Sequence, residues 1–122
     1  MNVAFAETTP RVTDDIQAYF GGDEAYREFQ NYLAAFPERG DVIQGCGGLR
    51  KVRWSDPRRG KGKRGGLRII YLYVREVRMI GILDVYDKDE SADLTADQRK
   101  ALGDLAHRVR DEFRTRNYAQ GS

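Results

Sequence analysis

The sequence predicts a small α+β domain: an antiparallel sheet of about four strands, packed by N-terminal helices and a C-terminal helix. Three observations predict it. The periodic segments run in the order strand, two helices, three strands, helix. The last two strands are joined only by the short charged link "REVR", which makes them a hairpin. A chain of 122 residues suits one domain, long enough to bury roughly two-thirds of the surface its unfolded form exposes.

Each element has a local reason. "NVAFAE" alternates weakly and reads as a short first strand. Thr13, followed by Asp14 and Asp15, can cap a brief helix that Gly21 and Gly22 end. Asp23 opens a second helix, where Tyr26, Phe29, Leu33 and Phe36 recur three or four apart on one face. Pro37 and Gly40 stop it. "GLRKVRW", "LRIIYLYV" and "MIGILDVY" then read as strands, the middle one rich in β-branched and aromatic residues. Strand pleating places Arg68 on the same face as Ile70 and Leu72. The last helix runs from about Ala96 to Asn117. Thr95 and Gln98 stand at capping-box spacing before an apolar stripe of Leu102, Leu105, Val109 and Phe113, backed by Ala101 and Ala106. One domain over residues 1–118 follows, with 119–122 a frayed end.

Charge is distributed unevenly. The net charge is only +2, yet nine cations and one acid, Asp56, lie between Arg50 and Arg68. That segment carries +8 and the remainder −6, an asymmetry that calls for a polyanion or an acidic protein as partner. Its centre, "RRGKGKRGG" (Arg58 to Gly66), interleaves five cations with four glycines and sits between two strands rather than at a chain end. Glycines there let backbone N–H groups approach a phosphate closely. Trp54, Tyr71, Tyr73 and Tyr86 are aromatics on which bases could stack, or core residues. The single Cys46 excludes an internal disulfide and suits a reducing compartment. With no apolar run of membrane-spanning length and no signal-peptide pattern at the N-terminus, the expectation is a cytoplasmic protein without a membrane partner.

Other chemistries fit less well. Gly60 and Gly65 have the glycine spacing of a phosphate-binding Walker loop, but Gly66 and Leu67 stand where lysine and serine or threonine belong, and a strand follows. Asp87, Asp89, Ser91 and Asp93 alternate as calcium ligands would, but Ala92 replaces the turn glycine and Gln98 the bidentate acid. Cys46 and His107 read as structural, and nothing near them forms a zinc set. No cofactor is expected.

Cations alone can still support one reaction. RNA carries its own nucleophile, the 2′-OH, so cleavage needs alignment, a base, an acid and stabilisation of the phosphorane-like transition state. Arginines supply the electrostatic part, and a lysine crowded by other cations loses its proton more readily. Lys61, Lys63, Arg64, Arg68, Tyr86 and Lys88 form such a metal-free set, with Lys51, Arg53, Trp54, Arg58 and Arg59 as RNA-binding residues. Binding without cleavage fits the composition equally well.

The series "DEAYREFQ", "GDVIQGCGGLRKVRW", "GKGKRGGLRIIY" and "VYDKDESADLTADQRKAL", spanning roughly residues 23 to 102, resembles the HigB-type branch of the RelE/ParE toxin superfamily. The N-terminal "VAFAET" fits as well. The resemblance implies a small RelE-like fold with a curved antiparallel sheet, and a bacterial toxin–antitoxin role: a ribosome-dependent mRNA endonuclease that uses the 2′-OH and no metal. It implies a helix-turn-helix antitoxin of the HigA type as partner, through which alone the toxin would meet operator DNA, and the ribosome with its mRNA as target. Carried over by position, Lys51 and Arg53 match the cationic pair before the loop, and Arg68 matches the strand arginine that holds the scissile phosphate. Lys61, Lys63 and Arg64 match the "GKGKRGG" motif, and Tyr86, Lys88 and Glu90 match "Y-x-K-x-E". Asp89 stands where RelE proper has an arginine, and the late RelE tyrosine aligns near Thr95, so base and acid stay unassigned. A gyrase-inhibiting ParE-like protein of the same fold, and a non-catalytic RNA-binding module, are the alternatives.

Overall fold

The computed structural model describes residues 2–56, 66–88 and 94–121. Its elements are β1 (Ala4–Glu7), α1 (Pro10–Phe20), α2 (Asp23–Ala35), β2 (Asp41–Val42), β3 (Arg50–Trp54), β4 (Leu67–Val74), β5 (Met79–Asp87) and α3 (Ala96–Gly121). A single 3-10 turn, Arg75–Val77, joins β4 to β5, with Arg78 left-handed at φ 54°. Among the described residues no helix is long and apolar enough to cross a membrane.

The small α+β architecture agrees with the sequence, but the sheet is not a four-stranded antiparallel one. It has five strands in the order β1-β5-β4-β3-β2, and β1 runs parallel to β5. The physical reason is the hairpin: β4 pairs with one edge of β5, and β1 covers the other, with Phe5 beside Ile80 and Ala6 beside Gly81. The added strand, β2, is only two exposed residues that pair with Lys51 and Arg50. It exists because the chain reverses tightly between Ile43 and Leu49. Gly45, Gly47 and Gly48 all take positive φ there, and the Ile43 N–H donates to the Leu49 carbonyl at 2.9 Å.

The sheet separates two cores. On one face α1 and α2 bring Val12, Ile16, Phe20, Phe29 and Leu33 against Val52, Leu67, Ile69, Tyr71, Ile80 and Val85. On the other, α3 brings Ala106, Val109 and Phe113 against Leu49, Ile70, Leu72 and Val74. Central strand β4 is therefore buried on both faces, which explains its apolar run from Ile69 to Val74. Phe36, expected on the buried stripe of the second helix, lies past its end and is 67% exposed. Gly81 allows α3 to come close: a Cβ there would stand 3.1 Å from Phe113.

The helix ends are capped largely as expected. Thr95 and Gln98 form the reciprocal box: the Gln98 N–H donates to Thr95 Oγ1 at 3.1 Å, and the Thr95 N–H donates to Gln98 Oε1 at 2.9 Å. α3 extends beyond Asn117 to Gly121, into the segment expected to fray. Gly21, left-handed at φ 75°, ends α1. The start of α1 differs from expectation. Its cap is Thr9, whose Oγ1 accepts the Val12 N–H at 3.2 Å, with Pro10 preset as the first helical residue. Thr13 lies inside the first turn and donates back to the Thr9 carbonyl. Thr9→Ala is expected to destabilise the protein by about 1 kcal/mol in denaturant melts, while Thr13→Ala has a smaller effect.

Candidate functional site

One row of side chains crosses three strands. Arg53 on β3 stands directly opposite Arg68 on β4, which stands directly opposite Tyr86 on β5. Directly opposed residues lie about 5 Å apart, and they share one face of the sheet. This is the face of Ile70 and Leu72, as pleating required, and α3 covers those two residues farther along β4. The next row holds Lys51, Ile70 and Asp84. Lys51 and Arg53, two residues apart on β3, therefore both point to this side.

Exposure is graded along the row. Arg53 is exposed, Lys51 is half-buried, and Arg68 and Tyr86 retain only 8% of their surfaces each. The Arg68 guanidinium is recessed and donates to the carbonyl of Leu67 at 3.3 Å. Lys88 follows β5 and is exposed; its N–H donates to the Gly66 carbonyl at 2.9 Å, which extends the β4–β5 ladder past Asp87. The basic segment leaves after Asp56 and returns at Gly66, so both its ends lie at this end of the sheet. Arg58, Arg59, Lys61, Lys63 and Arg64 fall outside the described residues, as does Glu90.

Two acids here were not singled out as site residues by sequence. Asp56 is 1% exposed and Asp87 is fully buried. A Cβ on Gly66 would come within 3.4 Å of the Asp56 Cβ, so Asp56 is packed against the chain entering β4. Asp87 lies opposite Leu67, which puts it on the face away from Arg68. Buried acids thus stand at both feet of the basic segment. A signal for Asp56 was present: it is the sole acid among nine cations.

Trp54 does not join the row. Successive strand residues point to opposite faces, so Trp54 lies across the sheet from Arg53. There it is half-buried against α2, its ring 5.3 Å from Phe29 and 4.8 Å from Tyr32. Trp54 thus lies on the opposite face of the sheet from Arg53, Arg68 and Tyr86. Tyr71, on the same side, is fully buried; its hydroxyl donates to the Pro37 carbonyl at 2.7 Å and accepts the Gly40 N–H at 2.9 Å. Of the four aromatics considered, only Tyr86 shares the face of Arg68. Cys46 is sealed beneath α3 with its thiol donating to the Arg99 carbonyl, while His107 is exposed on that helix.

The row brings two arginines and a tyrosine into register on one face; guanidinium forks are side chains well matched to phosphate oxygens. No family model matches this chain.

Proposed function

We propose that this protein is the toxin of a bacterial toxin–antitoxin pair, a ribosome-dependent endonuclease that cuts mRNA by attack of the RNA 2′-OH. The observation that carries the reading is the Arg53–Arg68–Tyr86 row. It sets two cationic side chains in register on one face of the sheet, one exposed and one recessed, with a phenol beside the recessed one, an arrangement suited to a phosphate.

In this reading the scissile phosphate sits on Arg68 and Arg53. The 2′-oxygen attacks phosphorus as its proton passes to a base, for which Lys61 and Lys63 are the candidates. The bond from phosphorus to the 5′-oxygen breaks, and that oxygen takes a proton; Tyr86 and Lys88 are the candidates to position the RNA or supply it. The products are a 2′,3′-cyclic phosphate and a 5′-hydroxyl. Arg64 helps Arg68 neutralise the phosphate, while Lys51, Arg58 and Arg59 add sequence-independent attraction for the backbone, which weakens as salt rises. The partner is a helix-turn-helix antitoxin that neutralises the toxin and links it to operator DNA.

The test is translation in vitro with purified ribosomes, followed by primer extension on the message and analysis of the new ends. Expected are breaks confined to translated mRNA, with 5′-hydroxyl ends. An intact message together with inhibited DNA supercoiling would overturn the reading in favour of a gyrase-binding protein. Intact message with salt-sensitive RNA binding would leave a binding module.

A further inference from the structure

A cavity of about 390 Å³ opens where the starts of α1 and α3 meet β5, and none of Arg53, Arg68 and Tyr86 lines it. Leu83, Leu94, Leu102 and Leu105 supply apolar walls, and Asp84 supplies a carboxylate. The backbone explains why an acid is there. Opposite β4 the register jumps between Ile70 and Tyr71, leaving Leu83 as an extra residue in β5. β1 ends its pairing at Ile82, whose carbonyl accepts both the N–H and the hydroxyl of Thr8. Beyond that point the outer edge of β5 has no strand partner among the described residues.

The Asp84 carboxylate is poorly compensated. No ion pair among the described residues involves Asp84. Arg11 borders the cavity, but its side chain is 86% exposed and pairs with Asp15 at 3.7 Å. Apolar walls around one under-compensated anion favour a ligand that is greasy along its length and cationic at its tip. We propose that this cavity binds an aliphatic ammonium or guanidinium group, its stem against Leu83, Leu102 and Leu105 and its cation on the Asp84 carboxylate. A free alkylamine and a lysine side chain offered by a partner protein carry the same chemistry. The proposal stands independently of the RNA-cleaving reading.

The test titrates the full chain at pH 7 with n-hexylamine, n-hexanol and Nα-acetyl-lysine methylamide, read by amide chemical shifts. Expected are saturable shifts at residues 83–85 and 102–105, with the amine binding roughly tenfold tighter than the alcohol. Asp84→Asn should bring the amine down to the affinity of the alcohol and leave the alcohol unchanged. Leu105→Trp, which fills the cavity, should remove both. Capped lysine binding as well as hexylamine assigns the site to a partner's side chain; binding of the free amine alone assigns it to a small metabolite. Absence of saturable amine binding, equal affinity for amine and alcohol, or an amine preference that survives Asp84→Asn overturns the proposal.

Asp84 also makes stability depend on pH. Burial, aided by nearby Asp15, pushes its carboxyl above the usual 3.8, against the opposing effects of Arg11 and the Val85 N–H. The folded state therefore holds the proton more tightly than the unfolded one. Its contribution is most favourable below the ordinary value and is lost as pH rises through the folded one. Asp84→Asn is expected to melt above the native protein at pH 7, with the gap closing below about pH 4. Paired thermal scans across that range check it; a gap independent of pH would exclude the carboxylate as its cause.

Discussion

Arg68→Ala is expected to lower cleavage of translated mRNA at least ~100-fold, the loss typical of removing one donor aimed at transition-state charge. Arg68 is the recessed member of the cationic row, 8% exposed and flanked in register by Arg53 and Tyr86. An arginine held there presents its fork in a set direction, so phosphate meets it without paying to order a flexible side chain. Arg68→Lys keeps the charge and loses the fork, and an intermediate rate is expected. Arg53→Ala should reduce cleavage less, because that residue is exposed and hydrated. Primer extension gives the rates, and cooperative melts of each variant separate lost chemistry from lost folding. Full cleavage by both Arg68 variants would remove it from the site.

The largest expected effect on stability comes from one glycine. A Cβ on Gly40 would lie 2.7 Å from the Tyr71 hydroxyl, 2.8 Å from its ring and 3.1 Å from the Lys51 carbonyl. Tyr71 is fully buried and cannot swing away, and its hydroxyl already holds Pro37 and Gly40 together. Arg50 latches the same turn by donating to the carbonyls of Glu38 and Gly40 at 2.9 and 2.8 Å. Gly40→Ala should therefore destabilise the fold by about 3 kcal/mol, at the upper end for overpacking, and lower the melting temperature by roughly 10 °C. Tyr71→Phe alone should be destabilising too, since it leaves a backbone donor and acceptor without their partner. In the double variant the nearest clashing atom is gone, so the two losses should sum to less than their separate values. Strict additivity would show that this contact does not limit the packing.

Much of the local structure was legible in the residues. The run "LRIIYLYV" is β4, the stripe from Leu102 to Phe113 belongs to α3, and Thr95 with Gln98 caps it, because each depends on neighbours in the chain. Thr9 was missed as a cap because Thr13 with two following acids offered the same local signal. The cap depends on which threonine takes extended backbone, at φ −143° for Thr9, and Pro10 tipped that choice. β2 was missed because two exposed residues leave no periodicity to read.

By itself, the sequence determined the α+β class, the alternation that sets Arg68 on the face of Ile70 and Leu72, and a basic segment carried between two strands. These follow from pleat and helical period, which act over a few residues. Only the tertiary structure decided that β1 lies parallel to β5, that Arg53, Arg68 and Tyr86 share one row, and that Trp54 is turned away against α2. Strand register is set by hydrogen bonds and side-chain burial between segments far apart in the chain, and a slip of one residue would exchange the two faces. The cationic row is thus written in the residues one at a time, and assembled only when the hydrophobic faces of β3, β4 and β5 settle against their helices.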